Sequence, residues 1–403
     1  MPRTGWVKPV SDRRMSDLVS VGLLTRVFPS DLVDEVIAAA GRTEQRKRSL
    51  PARVMAYFAI GMALYSDGSY EEVMAQLTDG LSWSTQWAVS WEAPSKSAIF
   101  QARARLGADP LRELFSRVAV PLIPEDTDGA FLAHLRIVAI DGTCIDVADT
   151  VENSEFFGRP GVSKGERSAF PQARVVALVE CGSHAIFEAV VGSYSIGEIE
   201  LSRELVTKLK PGMLLLADRG FYGFRLWTLA AATGADLAWR VGSSLKPRYL
   251  ETLADGSWLA EVRPSGNEGR KALPVVVRVI DYSIEDGRNN QESYRLLTTI
   301  LDPTVASATD LALAYAKRWE IESVFDELKT HQRGPRMVLR SKSPELVEQE
   351  IWGYLCCHYA IRTLMWEAAA HGNKEPERVS FISALRVARR SLGQQGAFPP
   401  SRP

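Results

Sequence analysis

The chain of 403 residues is 46% hydrophobic, and its 48 basic residues balance 49 acidic ones to leave a net charge of −1. A chain of this length and composition can bury a large core and is expected to form two or three structural units. The net charge gives no overall signature of nucleic-acid binding, so charge has to be examined segment by segment.

The cysteines and the hydropathy pattern predict a cytoplasmic protein without membrane contact. The four cysteines show no C-x-x-C or framework spacing, which suits a reducing compartment with the thiols acting as small hydrophobes. The N-terminal segment lacks an apolar signal core, and no apolar run is long enough to span a bilayer.

Residues 1–125 are predicted to form an all-α domain. Periodic apolar segments are separated there by polar or glycine-containing breaks. The helix predicted from Ser95 to Gly107 carries three basic residues, Lys96, Arg103 and Arg105. This pattern fits a DNA-reading helix that binds DNA ends, and it fits a packing helix with basic outer positions equally well.

Beyond a proline-containing linker the pattern changes from helices to strands. Three early strands followed by alternating helices and strands predict, for residues 130–242, a mixed α/β sheet whose early strands are antiparallel. The predicted strands cover residues 136–142, 173–180, 184–192, 213–218 and 236–242, and the predicted helices cover 198–210 and 224–233.

Residues 243–303 interrupt this alternation with several strand-like runs and glycine-containing turns, which predicts a β-rich insertion. The α/β unit then resumes over residues 304–370. It contains the polar segment 315–329 and a long apolar helix at about 345–370. Residues 371–403 are predicted to be a C-terminal tail, of which residues 394–403 are predicted to be frayed.

The segment 315–329 arranges its polar residues in an ordered way. At 100° per residue, Tyr315, Arg318, Glu322 and Lys329 fall within an arc of about 60°. Either this line contacts a partner, or it is a solvated edge with pairs such as Arg318 with Glu322. A third face, predicted to be exposed to solvent, carries Glu320, Ser323 and Glu327.

Two aspartates follow hydrophobic strands. Asp141 and Asp218 each occupy the predicted carboxyl end of a strand, where sites of α/β sheets lie. Clustered carboxylates repel one another unless a cation lies between them, and Mg²⁺ or Mn²⁺ is the natural partner for carboxylate oxygens. Each aspartate alone could equally be a turn or cap residue, but Glu322 on a later helix weakens that alternative.

The order Asp141, Asp218 and Glu322, with the glutamate inside Y-x2-R-x3-E-x6-K, resembles the bacterial DDE transposases of the insertion-sequence-four family. The context D-R-G-F-Y-G around Asp218 and the segment F-P-Q-A-R-V-V-A-L-V-E from Phe170 are also similar to that family. The resemblance covers roughly residues 18–365. It implies an α/β fold with a ribonuclease H-like catalytic core interrupted by a β-rich insertion and preceded by an all-α domain.

The same resemblance implies cut-and-paste DNA transposition. Asp141, Asp218 and Glu322 would be the catalytic residues and the ligands of two Mg²⁺ ions, for which Mn²⁺ can substitute. The partners implied are double-stranded DNA, namely the terminal inverted repeats of the transposon and the target DNA, and a second copy of the chain in the DNA complex.

Several basic and aromatic residues are then predicted to contact DNA. Arg318 and Lys329 would hold the phosphates that flank the reacting one, with Tyr315 on the same line. The acid-free run from His331 to Lys342, which includes Arg333 and Arg336, would contact phosphates without sequence choice.

Hairpin formation at the transposon ends is a further implication of the resemblance, and it requires an aromatic platform for a flipped base. The position that corresponds to the platform of a relative is Tyr294. Trp258 and Trp239 are alternatives, and Tyr294 could instead pack across neighbouring strands.

Two competing functions remain open on the sequence. One is a metal-dependent nuclease that cuts DNA without joining it. The other is an inactive DNA-binding derivative, against which the intact Asp141, Asp218 and Glu322 argue.

Overall fold

The described part of the chain is a mixed α/β protein built around one large sheet. The computed structural model describes residues 22–46, 49–84, 94–125, 127, 129–161, 168–264, 273–285, 291–334, 337–372 and 379–391.

The sheet has ten strands in the order β4-β3-β2-β5-β6-β10-β9-β8-β7, and β1 pairs with β2 outside this path. The strands are β1 Phe131–Leu132, β2 Leu135–Asp146, β3 Gln172–Glu180, β4 Ile186–Ser193, β5 Met213–Ala217, β6 Asp236–Arg240, β7 Arg248–Thr252, β8 Trp258–Val262, β9 Val275–Glu285 and β10 Gln291–Thr298.

The first half of the sheet agrees with the strand predictions. Strands β2, β3 and β4 are antiparallel, as predicted, and β2, β5 and β6 run parallel to one another. The predicted end of β2 at Gly142 is wrong, because β2 continues to Asp146 in register with β3. Helices cover both faces, so β3 and β5 are buried almost throughout, as expected of strands between two layers.

Residues 248–298 contain the four strands that follow β6. Strand β10 pairs antiparallel with β6, and β9, β8 and β7 follow outwards in antiparallel order. This β-rich segment therefore continues the existing sheet and forms no separate layer. Because β10 lies beside β6, the chain returns to the middle of the sheet before the helix that carries Glu322 begins.

Thirteen α-helices accompany the sheet in the described residues. They are α1 Gly22–Val27, α2 Ser30–Ala39, α3 Ala52–Leu64, α4 Tyr70–Ser84, α5 Lys96–Leu106, α6 Asp109–Val118, α7 Val151–Phe157, α8 Glu198–Val206, α9 Phe224–Ala231, α10 Ala308–Ala316, α11 Glu320–Asp326, α12 Pro344–Gly372 and α13 Phe381–Ser391.

The N-terminal helices and the α/β part share one hydrophobic core. The apolar residues of α3 are buried nearly all round, and α3 packs along α12. At Gly353 the two backbones approach so closely that a Cβ atom would lie 2.5 Å from the carbonyl oxygen of Ala59. The described helices of the N-terminal part thus pack against α12, and the boundary of residues 1–125 as a separate domain stays a prediction.

Helix α5 combines the two roles left open by the sequence. Arg103 is fully buried and donates hydrogen bonds to Gln349, Tyr70 and Ser341, so it joins α5 to the α12 region. Lys96, at the start of α5, and Arg105 are exposed. Arg103 is therefore a packing residue, and only the outer positions remain available to a DNA partner.

The search for membrane spans gave a negative result. Among the residues that the structure describes, no helix is both long enough and apolar enough to cross a bilayer.

The close contact of α3 with α12 generates a test of the packing. Replacing glycine by alanine inside a helix usually stabilises a protein by about 0.5–1 kcal/mol. In Gly353→Ala the new methyl group would meet the Ala59 backbone, so we expect a loss of about 1–3 kcal/mol in the free energy of unfolding. Urea unfolding measures it, with Gly220→Ala as the control, since a Cβ at Gly220 meets no atom within 4 Å. An unchanged or higher stability of Gly353→Ala would contradict this packing.

Candidate active site

Strand pairing brings Asp141 and Asp218 together. The last parallel pair between β2 and β5 is Ile140 with Ala217. Asp141 is the next residue of β2, and Asp218 is the first residue after β5. Because parallel neighbours run in the same direction, both carboxylates emerge at the same edge of the sheet. The predicted adjacency thus follows from the register, although β2 itself continues past Asp141.

The surroundings of Asp141 oppose its ionisation. Burial raises the pKa of Asp141 to about 6, with smaller increases from the negative charges of Glu198 and Asp218. The backbone N–H of Gly142, which donates to Oδ1 at 2.8 Å, and the charge of Arg318 partly offset this rise in pKa. A further positive charge at this point would therefore be strongly favoured.

Asp218 offers an oxygen that is ready for a ligand. Its Oδ1 atom is buried and makes no hydrogen bond. A buried acceptor without a partner is costly, and such atoms in native proteins often mark the position of an ion or a water molecule. Carboxylate oxygens of this kind suit Mg²⁺ or Mn²⁺.

The segment that carries Glu322 is not one regular α-helix. Helix α10 ends at Ala316, a 3₁₀ turn covers Lys317–Trp319, α11 follows, and a π-helical turn covers Glu327–Gln332. The prediction of one continuous helix with a constant 100° per residue is therefore wrong in detail. Each change of helix type rotates the residues that follow it relative to those before.

Arg318 lies between two of the three predicted catalytic residues. Its Nη1 is 3.6 Å from Asp141 Oδ2, and its Nη2 is 3.6 Å from Glu322 Oε1. The Arg318 side chain is only 5% exposed, whereas that of Glu322 is 52% exposed. In this arrangement the guanidinium neutralises the carboxylates of the site. Its predicted contact with phosphate stays a prediction.

Tyr315 and Lys329 were predicted to share one polar line with Arg318 and Glu322, and the side chains of both are at least partly buried. Tyr315 is 2% exposed, and its hydroxyl donates to the carbonyl oxygen of Ala217 at 3.4 Å. Its predicted contact with DNA stays a prediction, and in this conformation the side chain is packed within the protein. Lys329 is half-buried, and its Nζ lies 3.1 Å from Thr143 Oγ1, two residues beyond Asp141.

The face predicted to be solvated is largely buried. The side chains of Glu320 and Glu327 are 19% and 12% exposed and form ion pairs within the protein. Only Ser323 of that predicted set is exposed. The prediction of a solvent face was wrong because charged partners from distant segments cover it.

The predicted DNA contacts beyond the helix are placed as follows. Arg333 is 6% exposed and donates to the carbonyl oxygen of Met337, so it is a buried structural residue here. Arg336 lies outside the described residues. Tyr294 is 8% exposed and stacks on Tyr282 across β9 and β10, with ring centroids 5.2 Å apart. Tyr294 thus adopts the cross-strand packing alternative.

The two alternative residues for stacking on a flipped base, Trp239 and Trp258, differ in their exposure to solvent. Trp239 is fully buried, which removes it as a base-stacking candidate in this conformation. Trp258 is half-buried, and its Nε1 donates to Asp281 at 3.2 Å.

Two residues near the site had not been predicted. Glu198 begins α8, and a Cβ atom added to Gly142 would lie 2.7 Å from its carboxyl carbon. Trp319 is 50% exposed, and the Cζ atom of Arg318 lies 4.7 Å from its ring centroid. The signal for Glu198 was weak, since a glutamate in a first helical turn is ordinary. Trp319 could have been found as a large aromatic residue between two signature positions.

The three predicted ligands do not yet form a complete metal cage. Within the described ranges, no group of three or more histidine, cysteine, aspartate or glutamate side chains is arranged to hold an ion. Asp141 and Asp218 are adjacent, while Arg318 lies between Asp141 and Glu322. The oxygen donors and the unpartnered Asp218 Oδ1 nevertheless fit a hard divalent cation.

Comparison with family models decides the affiliation of the chain. Residues 18–116 match the model described as "Insertion element 4 transposase N-terminal", and residues 133–360 match the model described as "Transposase DDE domain". The chain is a DDE transposase of the insertion element 4 family. It is thus a nuclease and transesterase that acts on DNA in transposition.

Curated relatives of this transposase are bacterial. Transposase InsG for insertion sequence element IS4, from Escherichia coli (strain K12), is 30% identical over 373 residues, which are 92% of this chain and 82% of that one. Putative transposase InsZ from the same organism is 25% identical over 244 residues, or 59% and 77% of the two chains.

Among solved structures, the transposase is similar to the piggyBac transposase in a synaptic complex with hairpin DNA. The TM-score is 0.48 with 12% sequence identity, and the match covers 92% of this chain and 79% of that one.

The raised pKa of Asp141 predicts a pH-dependent stability. Its ionisation costs nothing below the unfolded pKa near 4, and the full cost is present above the folded pKa of about 6. In EDTA at pH 8, Asp141→Asn should therefore be more stable than the wild type by about 1–3 kcal/mol. The advantage should shrink as the pH falls through 6 and vanish below about 4.

Urea unfolding between pH 8 and pH 4 measures this difference. The exposed Asp67→Asn is the control, for which no comparable pH-dependent gain is expected. A stability difference for Asp141→Asn that did not change with pH would contradict the assigned environment.

Proposed function

We propose that this transposase cuts DNA at the ends of its own insertion element, with divalent metal ions, and joins the freed ends to target DNA by a cut-and-paste route. The observation that supports this proposal best is the grouping of Asp141 and Asp218 at adjoining strand positions, linked to Glu322 through Arg318. Grouped carboxylates assist the transfer of a phosphodiester by binding cations, so this grouping supports a metal-dependent reaction.

Asp141, Asp218 and Glu322 are the proposed ligands of Mg²⁺, for which Mn²⁺ can substitute. Two such ions would supply Lewis-acid stabilisation of the scissile phosphate and would lower the pKa of the attacking water or 3′-hydroxyl. The exposed Glu322 side chain has room to move, and the unpartnered Oδ1 of Asp218 is available as a donor.

The proposal includes a ribonuclease H-like core. Strands β4-β3-β2-β5-β6 supply a mixed sheet with the two aspartates at its centre. In this interpretation residues 130–242 and 304–370 form the core, residues 243–303 are an insertion, residues 1–125 bind the DNA ends and residues 371–403 form the tail. The outer positions of α5, Lys96 and Arg105, support the end-binding role because both are exposed.

Positive side chains beside the carboxylates are proposed to orient the DNA. A cation bound to Asp141 would balance the charge that Arg318 now balances, so Arg318 would be able to turn towards a phosphate. Lys329 is held beside β2 by Thr143. Neither residue needs to accept or donate a proton in the reaction. Their role would be to fix the phosphates next to the scissile bond.

Hairpin formation, if this transposase uses it, requires an aromatic surface close to Glu322. Trp319 is half-exposed and precedes Glu322 by about one helical turn. An exposed indole ring of this kind can stack on an unpaired base. We therefore propose Trp319 as the platform in preference to the buried Tyr294 and Trp239.

The proposed partners are the terminal inverted repeats, the target DNA and a second copy of the transposase. Pairing of two element ends requires at least a dimer in the DNA complex. The proposed place of action is the bacterial cytoplasm, at the nucleoid when the transposase is bound to DNA.

A product assay tests the proposed reaction. Wild-type protein is incubated with a DNA fragment that carries its element end, a target plasmid and Mg²⁺ or Mn²⁺, and the products are resolved on a denaturing gel. We expect nicked, hairpinned or joined products that require the metal and disappear in Glu322→Gln, because the amide is a poor ligand for a hard cation. Glu367→Gln, a surface change distant in sequence, is the control.

The other outcomes of this assay identify the alternatives. Cleavage without joined products would favour a metal-dependent nuclease. DNA binding by folded protein without any metal-dependent cleavage would overturn the enzymatic proposal and leave a DNA-binding derivative.

Glu198 is expected to contribute to the same site. Its carboxyl group lies against Gly142 and adds to the negative potential at Asp141, so Glu198→Gln should weaken metal-dependent cleavage by about 10- to 100-fold. It should also reduce the thermal stabilisation of the protein by Mn²⁺, a readout that is independent of activity. Glu200→Gln is the matched control, because Glu200 is an exposed residue of the same helix that pairs with Arg203. Equal behaviour of the two variants would remove Glu198 from the site.

A further inference from the structure

A second polar cluster lies behind the segment that carries Glu322. It surrounds a cavity of about 250 Å³ that is lined by His184, Glu320, Glu327, Arg362 and Val379. Glu320 and Glu327 are seven residues apart, which places them on one face of the helical segment, and Glu322 projects from the other face. The cluster is therefore separated from the carboxylate site by the helix itself.

Glu320 connects this helix to the turn between β3 and β4. Its Oε2 accepts a hydrogen bond from the backbone N–H of Gly182 at 2.6 Å and lies 3.3 Å from Nε2 of His184. His184 has a φ of 59°, which is uncommon for a residue other than glycine. Such a conformation persists where its surroundings require it, often at sites with a function.

Glu327 connects the same helix to α12. It accepts hydrogen bonds from Nε of Arg362 at 3.0 Å and, at its other oxygen, from Nη2 of Arg362, and Nε2 of His358 lies 3.2 Å away. Burial works against the charged form, but the hydrogen bond of His358 and the charge of Arg362 hold the pKa of Glu327 below its usual range. The Glu327–Arg362 pair is thus a buried ion pair, with Arg362 only 4% exposed.

Arg362 joins the two connections into one chain of contacts. Its Nη2 lies 2.9 Å from Nδ1 of His184. Because a guanidinium can only donate, Nδ1 accepts and the ring proton lies on Nε2, which then donates to Glu320. The resulting chain runs from Glu320 through His184 and Arg362 to Glu327.

The two glutamates sit at both ends of the α-helical piece that bears Glu322. Glu320 is the first residue of α11, directly after the 3₁₀ turn, and Glu327 is the first residue of the π-helical turn that contains Lys329. Short 3₁₀ and π segments have weaker hydrogen-bond geometry than an α-helix and often mark hinges or functional sites. The orientation of α11 about its axis is therefore held by side chains from outside the helix.

We propose that Glu320 and Glu327 are positioning residues of the transposase. Through His184 and Arg362 they fix the rotation of α11 and of the π-helical turn, and this sets where Glu322 and Lys329 lie relative to Asp141. The proposal rests on the proposed catalytic function of Glu322. It predicts that the chain of contacts affects the rate of DNA cleavage much more than DNA affinity.

Paired substitutions separate positioning from stability. Glu327→Gln leaves Arg362 buried without its counter-charge, so both stability and rate should fall. Glu327→Gln combined with Arg362→Met removes both charges and keeps a side-chain acceptor for the buried His358, so stability should be restored. Since the link to His184 is absent in this double variant, its single-turnover cleavage rate should stay about 10- to 100-fold below the wild type.

A conservative change provides the matching rescue. In Glu320→Gln the side-chain oxygen can still accept from Gly182 and His184, so the rate should remain near that of the wild type, whereas Glu320→Leu should lower it. Glu367→Gln, which alters the exposed ion pair of α12 with Arg26, is the control on the same helix as Arg362. End-DNA affinity should fall far less than the cleavage rate in all of them, since no altered residue faces the substrate and Lys329 is one of several proposed phosphate contacts.

Three measurements decide the outcome on the full-length protein. These are the single-turnover rate on pre-bound end DNA, the urea midpoint and hydrogen exchange of the amides of residues 317–332. We expect faster exchange in this segment for the double variant at unchanged global stability. Recovery of rate, stability and protection together in the double variant would overturn the proposal and make the cluster purely structural.

The hydrogen-exchange measurement also separates this proposal from the proposed function. A wild-type protein that binds end DNA but does not cleave it would refute the catalytic function. The exchange difference would then still show whether the cluster holds α11 in place.

Discussion

The burial of carboxylates at one edge of the sheet is the constraint on which the site depends. Parallel pairing of β2 with β5 makes Asp141 and Asp218 neighbours, and the burial that comes with this position raises the pKa of Asp141 to about 6. Arg318 is the positive charge that the chain itself supplies, between Asp141 and Glu322. In a transposase that binds cations on carboxylates, the negative charge of the site must stay only partly neutralised. Full neutralisation by the protein's own side chains would leave nothing for a metal ion to stabilise.

The position of Glu322 depends on both the sheet and α12. Strand β10 returns the chain to the middle of the sheet, and α10 and α11 then cross towards β2. Tyr315 fills the space beneath the aspartates, while Glu320 and Glu327 meet His184 and Arg362 on the other side. The helical segment is therefore held by the buried Tyr315 on one face and by ion pairs on another, so small errors in its rotation are opposed from two directions.

The sequence predicted what depends on local periodicity and could not predict what depends on distant partners. Alternating and continuous apolar runs located β2, β3 and β5 well, and the adjacency of Asp141 and Asp218 follows from strand ends alone. The assumption of a constant 100° per residue failed at Lys317–Trp319 and Glu327–Gln332, where the helix type changes. No local pattern reveals such changes, because they result from tertiary contacts. The charges of Glu320 and Glu327 likewise suggested solvent, and only residues more than 30 positions away, such as Arg362, show that they are buried.

The buried ion pairs behind α11 contribute little net stability, because the free-energy cost of burying charged groups offsets much of the gain from pairing them. An apolar core of the same volume is often as stable. Their advantage is direction: hydrogen bonds of fixed geometry define one rotation of a helix, whereas apolar side chains tolerate several. The face that carries Glu322 cannot provide this rigidity, because in the proposed reaction Glu322 would exchange Arg318 for a cation and Arg318 would exchange Glu322 for a phosphate. If the face of α11 that carries Glu322 has to rearrange, the opposite face has to stay fixed. The network from Glu320 to Glu327 meets that requirement.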